Sequence, residues 1–251
     1  MFDTLFTGKN FVELAETAST NSDVMRMLAG NPPEGTVVSA THQSQGRGQA
    51  GNYWESRSGK NLTFSILYYP TFLPVSDLFY LSKMVSVALQ RCISTLLPGQ
   101  IVRIKWPNDL LVNGQKIAGI LIENQLEGQR VRVSVLGIGL NVNQRDFSPL
   151  IAAKTCSLRH FQDTDLDLRA VMAALLQQVE REYLRLKSGQ FAAIDRDYLS
   201  KLYGYQEPLH FRIDGQTRSG IIIGVEKQGK LAVELAGTLR HFDIREIEFI
   251  R

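Results

Sequence analysis

The residues best suited to chemistry lie in three short segments rich in glycine, asparagine and cationic side chains. The first runs from His42 to Trp54 and contains Gly46-Arg47-Gly48. Glycine lets a backbone approach a ligand closely, and an arginine between glycines presents a fork of donors suited to a carboxylate or phosphate. A flexible surface loop with an incidental arginine has the same composition, so these residues alone leave both interpretations open.

The second segment begins with Lys105-Trp106-Pro107-Asn108-Asp109 and ends, after a turn, with Lys116-Ile117-Ala118-Gly119. Asn108 and Asp109 could hold a hydrated Mg²⁺ or a ribose, although a simple turn after proline would look the same. Lys116 falls on an alternating strand with a buried face. It is therefore either a snorkelling edge residue or a positive charge directed into a site.

The third segment is Gly137-Ile138-Gly139-Leu140-Asn141-Val142-Asn143. It resembles part of a dinucleotide-binding fingerprint, but the G-x-G-x-x-G pattern is not completed and no helix pattern follows. Asparagines beside close-approach glycines predict contact with a nucleotide edge, or else a bulge in a strand.

Several common kinds of catalytic centre have no counterpart in the sequence. There is no Walker A, HExxH or G-x-S-x-G motif, the four histidines are scattered, and Cys92 and Cys156 have no metal-binding spacing. The chain offers positive charge and backbone amides rather than a nucleophile with its base. These groups suit the stabilisation of a reaction between two bound substrates.

Composition and charge limit which partners and which cellular setting are expected. A formal charge of +3 over 251 residues is too mild to predict nucleic acid as the main partner. The N-terminus has no basic and apolar signal pattern, and no stretch approaches the ~20 apolar residues of a membrane span. With two cysteines, a reduced, cytoplasmic setting is expected.

The elements that must position these segments follow from hydrophobic periodicity. Helical spacing predicts helices at 22–29 and 77–97, and later stripes at 168–186 and 191–202. Alternation predicts strands at 36–41, 62–68, 102–104, 117–122 and 131–135, with a hairpin at Asn113-Gly114. Five short strands after Gly204 predict a small barrel. We therefore expect an α+β domain with an antiparallel sheet over 1–203 and an all-β domain over 204–251.

Taken together, these residues resemble the biotin–protein ligase family. The similarity rests on Ser19-Thr20-Asn21 before the first helix, the 43–54 segment, the 105–109 and 116–119 segments, and the 137–143 segment. Five motifs in order form a specific pattern. The resemblance implies a catalytic domain related to class II aminoacyl-tRNA synthetases and lipoate ligases, followed by a small SH3-like β-barrel domain.

The resemblance also implies roles for individual residues. Ser19, Thr20 and Gln43 would hydrogen-bond the ureido ring of biotin, with Asn21 beside them. Residues Gly46, Arg47, Gly48 and Gln49 would form a loop that orders over biotin and its adenylate. Gly119 would let the ligand lie flat. Nucleotide contacts would come from Arg47, Gln49, Trp54, Asn108, Asp109, Lys116 and Asn141.

The implied reaction is adenylation of biotin by ATP with Mg²⁺, followed by transfer to a lysine of a biotin carboxyl carrier protein domain. Arg47 and Lys116 would offset the repulsion between the biotin carboxylate and the α-phosphate. Asp109 is a candidate base for the carrier lysine and a candidate neighbour of the metal, since no protein-only metal cluster is evident.

Two departures from the family pattern stand out. Many members carry arginine where this chain has Gln49. Asn52 is a similar position, so the loop as a whole carries less positive charge than in those members. We therefore expect looser retention of the adenylate. Only eighteen residues precede Ser19, too few for the helix-turn-helix domain of members that double as repressors. The expectation is a monofunctional enzyme that does not bind DNA.

Two other functions are open on this sequence. A lipoate or octanoate ligase would share the fold and the reaction, although the polar Ser19-Thr20-Asn21 and Gln43 set favours a ureido ring. A non-enzymatic biotin-sensing module would need no ATP turnover. Pairing of exposed strands into a homodimer is possible, and the sequence does not decide it.

Overall fold

The architecture is α+β, as the sequence predicts. A computed structural model describes residues 2–250, except the side chain of Ala50. The helices are α1 (Thr20–Met27), α2 (Tyr80–Leu96), α3 (Leu168–Lys187) and α4 (Phe191–Lys201). The strands are β1 (Phe11–Thr17), β2 (Val37–Gln43), β3 (Leu62–Tyr68), β4 (Val102–Lys105), β5 (Asp109–Val112), β6 (Gln115–Glu127), β7 (Arg130–Leu140), β8 (Pro208–Ile213), β9 (Gln216–Val225), β10 (Leu231–Leu235), β11 (Thr238–Phe242) and β12 (Glu248–Ile250).

The first sheet has seven strands in the order β1-β2-β3-β7-β6-β5-β4. Among the strands of residues 2–250, only β1 and β2 pair in parallel, so the sheet is mixed rather than wholly antiparallel. The hairpin predicted at Asn113-Gly114 joins β5 to β6, and both turn residues have positive φ. That backbone suits a two-residue hairpin turn, for which Asn-Gly is a favoured pair.

The two faces of this sheet are covered differently. Phe64 and Ile66 of β3 pack into the main core with the long helices α2, α3 and α4, while Leu67 faces the opposite way into a small cluster under α1. Alternation in β3 predicts a half-buried strand, yet all seven of its residues are buried. The alternate positions Thr63, Ser65 and Leu67 are buried because the polar cavity and α1, rather than water, cover that face.

Three elements differ from expectation near the first helix. Strand β1 is absent from the prediction because FVELAET lies at the sheet edge and leaves alternate residues partly exposed. Helix α1 begins at Thr20 rather than Ser22, and the chain continues as a 3-10 turn from Leu28 to Gly30. Ser19 is the N-cap, and its side chain makes no capping hydrogen bond.

The last five strands form a separate antiparallel sheet in the order β11-β10-β9-β8-β12. This agrees with the predicted small all-β unit. It packs against α2 and the connection between β4 and β5: the Trp106 indole donates to Gly229 O at 2.8 Å, and Lys83 of α2 donates to Val225 O at 3.0 Å. Within residues 2–250, no helix has the length and apolar character to cross a membrane.

Candidate functional site

A solvent-open cavity of about 220 Å³ lies where the start of α1, the 43–54 segment and strands β5 to β7 meet. Most of the predicted site residues line it, although they come from four separate parts of the chain. These are Ser19, Thr20, Asn21, Gln43, Arg47, Gly48, Gln49, Trp54, Asn108, Asp109, Lys116 and Gly119.

One end of the cavity is lined by buried, uncharged polar side chains. Thr20 and Asn21 enter it from the first turn of α1 and are each 3% exposed. The Thr20 and Ser65 hydroxyls lie 2.7 Å apart, and the Ser65 hydroxyl donates to Asn21 Oδ1 at 2.6 Å. Buried polar groups need partners, and this chain of hydrogen bonds supplies them.

Gln43 caps the N-terminus of α1 in place of the Ser19 side chain. Its Oε1 accepts from the Thr20 backbone N–H at 2.8 Å, one of the free donors at a helix N-terminus. Since Oε1 is committed to this contact, the amide nitrogen is left as a donor for a ligand. The Ser19 hydroxyl is a second available donor, because it has no hydrogen-bond partner among residues 2–250.

Glycines of two neighbouring strands form the floor of the cavity. Gly119 of β6 pairs with Gly139 of β7, and the Trp54 ring lies over both. A Cβ at Gly139 would come within 2.4 Å of the Trp54 ring, and one at Gly119 within 3.1 Å. Glycine at these two positions therefore leaves the space that the Trp54 ring occupies.

The other end of the cavity carries charge. Lys116 Nζ lies 2.7 Å from Asp109 Oδ1, with the two side chains 36% and 20% exposed, and 5.5 Å from the centre of the Trp54 ring. Asp109 Oδ1 accepts no aligned hydrogen bond from the residues the structure describes. The contact is thus an ion pair that an incoming anion could replace as the partner of Lys116.

Arg47 approaches the mouth of the cavity through one guanidinium nitrogen. Its Nη2 donates to Ser22 Oγ at 3.1 Å and to Glu123 Oε2 at 3.2 Å. The guanidinium has five N–H donors, and no described residue accepts from Nε or Nη1. Arg47 can therefore keep these contacts and still bind an anion.

Three predicted residues have other surroundings. Gly46 is not part of the lining, but a Cβ there would lie 2.8 Å from Trp54 O, so it lets the segment fold back on itself. Asn141 is also outside the lining: it is buried, and its Nδ2 donates to Cys156 O at 3.0 Å. Asn108 does line the cavity, but its Nδ2 is committed to Ile120 O at 2.8 Å.

Several residues at the site were not predicted from the sequence. Ser65 belongs to the hydrogen-bond chain, Glu123 contacts Asn21 and Arg47, and Ile244 reaches the cavity from the second sheet, whereas Gly137, which lines the floor, lies in the predicted 137–143 segment. Alternation along β6 places Gly119 and Glu123 on one face, which was the available signal for Glu123. No local pattern distinguishes Ile244.

The cysteines and the acidic residues contribute neither a nucleophile nor a metal cluster in the part of the chain described. Burial raises the pKa of the Cys92 and Cys156 thiols to about 12, so both stay protonated and unreactive at neutral pH. No group of three or more His, Cys, Asp or Glu residues within 2–250 could hold a metal ion.

Comparison with known proteins agrees with this geometry. Residues 14–141, just over half of the chain, match the model of the Biotin/lipoate A/B protein ligase family. The chain is 30% identical over 243 residues to the bifunctional ligase/repressor BirA of Bacillus spizizenii, covering 96% of this chain and 74% of that one. It is 29% identical to the biotin–[acetyl-CoA-carboxylase] ligase of Mycobacterium tuberculosis, covering 89% and 83%.

The fold is also found in a solved structure. Biotin protein ligase from Aquifex aeolicus, in complex with biotin and ATP, superposes with a TM-score of 0.79 at 24% identity, covering 97% of this chain and 99% of that one. At this identity the likeness supports the fold, while the family model and the Bacillus relative establish kinship. The chain belongs to the Biotin/lipoate A/B protein ligase family.

Proposed function

We propose that this protein activates biotin with ATP, forming biotinyl-5′-AMP, and then transfers the biotinyl group to a lysine of a biotin carrier domain. The observation that carries the proposal is the polarity of one cavity. Uncharged donors and acceptors lie at one end, Lys116 lies at the other, and Arg47 lies at the mouth. A substrate with a polar neutral head and a carboxylate tail matches both ends.

The polar end complements a cyclic urea. The Gln43 amide nitrogen and the Ser19 hydroxyl are donors for the urea carbonyl, and the hydroxyl oxygen of Thr20 has lone pairs for the urea N–H groups. A dithiolane or an alkyl chain would leave these buried groups unpaired, which costs about 1–3 kcal/mol for each group. The lining therefore favours biotin over lipoate or octanoate.

The charged end suits the first half-reaction. An oxygen of the biotin carboxylate attacks the α-phosphorus of ATP, and the bond from that phosphorus to the pyrophosphate oxygen breaks. Negative groups meet in this step, and negative charge spreads over the phosphate oxygens. Lys116 and Arg47, already placed by the fold, lower the energy of that transition state because their positive charge is in position before reaction.

Mg²⁺ would enter as part of the substrate MgATP. Magnesium in nucleotide sites is usually held by one or two carboxylates, water and the phosphates. Asp109 is a fitting carboxylate because its buried Oδ1 has the Lys116 ammonium, 2.7 Å away, as its partner and accepts no aligned hydrogen bond. When phosphates attract Lys116, Asp109 would be released from the ion pair to face the metal.

In the second half-reaction, the uncharged amine of the carrier lysine attacks the acyl carbon of the mixed anhydride. AMP leaves, and the amine nitrogen loses a proton. Asp109 is the candidate acceptor of that proton, being the carboxylate nearest Lys116 at this end of the cavity. The carrier is expected to be the biotin domain of a carboxylase, and the two protonated, buried cysteines fit a cytoplasmic setting.

The test is biotin-dependent exchange of labelled pyrophosphate into ATP, with lipoate and octanoate assayed alongside. Lys116→Ala is expected to lower the exchange rate about 10²–10³-fold, since it removes a cation that acts in the transition state. Lys201→Ala, at an exposed lysine on α4, is the matched control and is expected to leave the rate unchanged.

Exchange with lipoate in place of biotin would keep the mechanism and overturn the substrate. No exchange with any of the three acids would mean that the cavity binds a ligand without adenylating it, as a sensing module would.

A further inference from the structure

Glu123 occupies a position that the proposed chemistry does not use. It lies on β6, on the same face as Gly119, and its side chain is 31% exposed. A single oxygen, Oε2, accepts from Asn21 Nδ2 at 2.6 Å and from Arg47 Nη2 at 3.2 Å. Glu123 therefore joins the polar end of the cavity to the arginine of the glycine-rich segment.

The contact with Asn21 fixes which way its amide points. A carboxylate only accepts hydrogen bonds, so Asn21 must turn its nitrogen towards Glu123 and its oxygen the opposite way. Leu121 O, 3.2 Å from the same nitrogen, favours the same orientation. Asn21 Oδ1 is then an acceptor for the Ser65 hydroxyl at 2.6 Å.

This orientation propagates along the hydroxyl groups. Ser65 has one hydroxyl proton, and it is used on Asn21 Oδ1. At their 2.7 Å contact the Thr20 hydroxyl must therefore be the donor and Ser65 the acceptor. The single proton of Thr20 is then used on Ser65, so the longer 3.2 Å contact from Thr20 Oγ1 to Gln43 Oε1 is not a second full hydrogen bond, and lone pairs of Thr20 Oγ1 are left for a ligand. Such chains strengthen each bond in turn in a low-dielectric interior.

The second contact of Glu123 anchors Arg47. With Nη2 held by Glu123 and Ser22, the guanidinium keeps Nε and Nη1 available to an anion. The Arg47 side chain is 46% exposed, so this ion pair alone is weak. The ion pair orients the segment that carries Arg47 and contributes little to the stability of the fold.

We propose that Glu123 is a positioning residue that sets the direction of the hydrogen bonds lining the cavity and holds Arg47 beside it. It acts through Asn21 on a ligand's N–H donors, and through Arg47 on the reacting anion. The inference rests on the proposed function for the identity of the ligand. The contacts of Glu123 themselves do not depend on that function.

Two substitutions separate the two contacts. Glu123→Gln keeps an oxygen acceptor for Asn21 but loses the charge that attracts Arg47. Glu123→Leu loses both, and Asn21 becomes free to turn its amide. Glu127→Gln, at an exposed glutamate at the end of the same strand, is the matched control.

The first readout is the Kd for biotin without ATP, measured by calorimetric titration. Glu123→Leu is expected to raise it at least about tenfold, the loss of a hydrogen bond to a charged group, while Glu123→Gln stays within about threefold. Rescue by glutamine sets an acceptor role apart from a packing role, since both variants remove the charge. Wild-type affinity in Glu123→Leu would overturn the assignment.

The second readout is trypsin cleavage after Arg47 in the ligand-free protein, followed by mass spectrometry. Both Glu123 variants are expected to be cleaved about two- to fivefold faster than wild type, which is the range of an exposed ion pair, and Glu127→Gln is expected to be unchanged. Equal rates in all four proteins would overturn the anchoring of Arg47.

The two readouts also distinguish failure of this inference from failure of the proposed function. If the wild type neither binds biotin nor exchanges pyrophosphate, the proposed function fails, and the cleavage comparison still tests the Arg47 contact. If Glu123→Leu does not fold, Glu123→Gln tests both contacts: its biotin affinity should stay while cleavage rises, and any other combination contradicts the proposal.

Discussion

At the residue scale, the floor of the cavity tolerates no side chain at two adjacent rungs of the sheet. A Cβ at Gly137 would lie 2.4 Å from Asn21 Oδ1 and 3.0 Å from Leu121 O. Neither Gly137 nor Gly139 has a positive φ, so close approach rather than backbone conformation requires glycine there. The floor thus depends on missing side chains as much as on those present.

We predict that Gly137→Ala weakens biotin binding by displacing Asn21 from its hydrogen bonds. Overpacking of this kind also lowers the free energy of unfolding by about 1–3 kcal/mol. Biotin titration and thermal unfolding measure the two effects. Gly224→Ala is the control, since its Cβ would meet no heavy atom within 4 Å, and equal behaviour of the two variants would contradict the prediction.

Gln49 is the position at which the family resemblance leads us to expect weaker retention of the adenylate. It lines the cavity in a 3-10 turn that runs from Gln49 to Gly51. A neutral hydrogen bond contributes about 0.5–1.5 kcal/mol, whereas one with a charged partner contributes about 1.5–3 kcal/mol.

We predict that Gln49→Arg slows release of the adenylate by about tenfold, because it adds a charged contact to the phosphate. Stopped-flow measurement of adenylate release checks this. Asn52→Arg adds a positive charge at another residue that lines the cavity. It shows whether added charge at any position slows release of the adenylate. An unchanged release rate in Gln49→Arg would contradict the prediction that charge at position 49 controls retention of the adenylate.

At the element scale, the segment before β1 is fastened to helix α3 by one carboxylate. Glu180 accepts backbone N–H bonds from Leu5 at 2.6 Å, Phe6 at 2.9 Å and Thr7 at 2.7 Å. Burial acts to raise the pKa of Glu180, but these backbone donors outweigh it and hold the pKa below its usual value. The carboxylate is thus the form that stabilises this junction.

The pH dependence follows from that direction. A carboxyl whose pKa is lower in the folded state stabilises the fold fully above its unfolded pKa of about 4.3. The contribution is lost as pH falls through the folded value. We predict that Glu180→Gln lowers the Tm at pH 7 and that the gap to wild type narrows below about pH 4, as thermal unfolding from pH 7 to pH 3 would show. Glu127→Gln serves as the exposed control, and a gap independent of pH would contradict the assignment.

At the scale of the whole molecule, the second sheet closes one side of the cavity. Ile244 follows β11 and lines the cavity with residues of the first sheet. The contacts from Trp106 to Gly229 O and from Lys83 to Val225 O hold the two sheets in place. Burial lowers the pKa of Lys83, against the effect of its Asp195 partner. The domain limits at 203 and 204 remain a prediction.

We predict that Ile244→Ala raises the KM for ATP about fivefold, the effect of uncovering roughly one or two methylene groups, and changes the KM for biotin less. The second sheet adjoins Asp109 and Lys116 through a neighbouring cleft, at the end of the cavity assigned to the nucleotide. Steady-state kinetics measure both constants. Ile223→Ala is the control, since Ile223 is also 39% exposed and lies outside the lining, and equal effects would refute the role of Ile244.

The sequence by itself determined the family, the α+β class and most residues of the cavity. Local rules suffice for these. Asn113-Gly114 dictates its hairpin, helical spacing dictates α2 to α4, and glycine beside Arg47 or Lys116 indicates close approach to an anion. Each of these signals is carried by residues that are neighbours in the chain.

The tertiary structure decided what depends on residues distant in sequence. Ser65 and Glu123 come near Asn21 only when β3, β6 and α1 are packed together, 44 and 102 positions apart along the chain. Asn141 matches the family motif, yet its amide nitrogen donates a hydrogen bond to Cys156 O. Hydrogen-bond direction and cavity lining are properties of neighbours in space, and a sequence pattern records only neighbours along the chain.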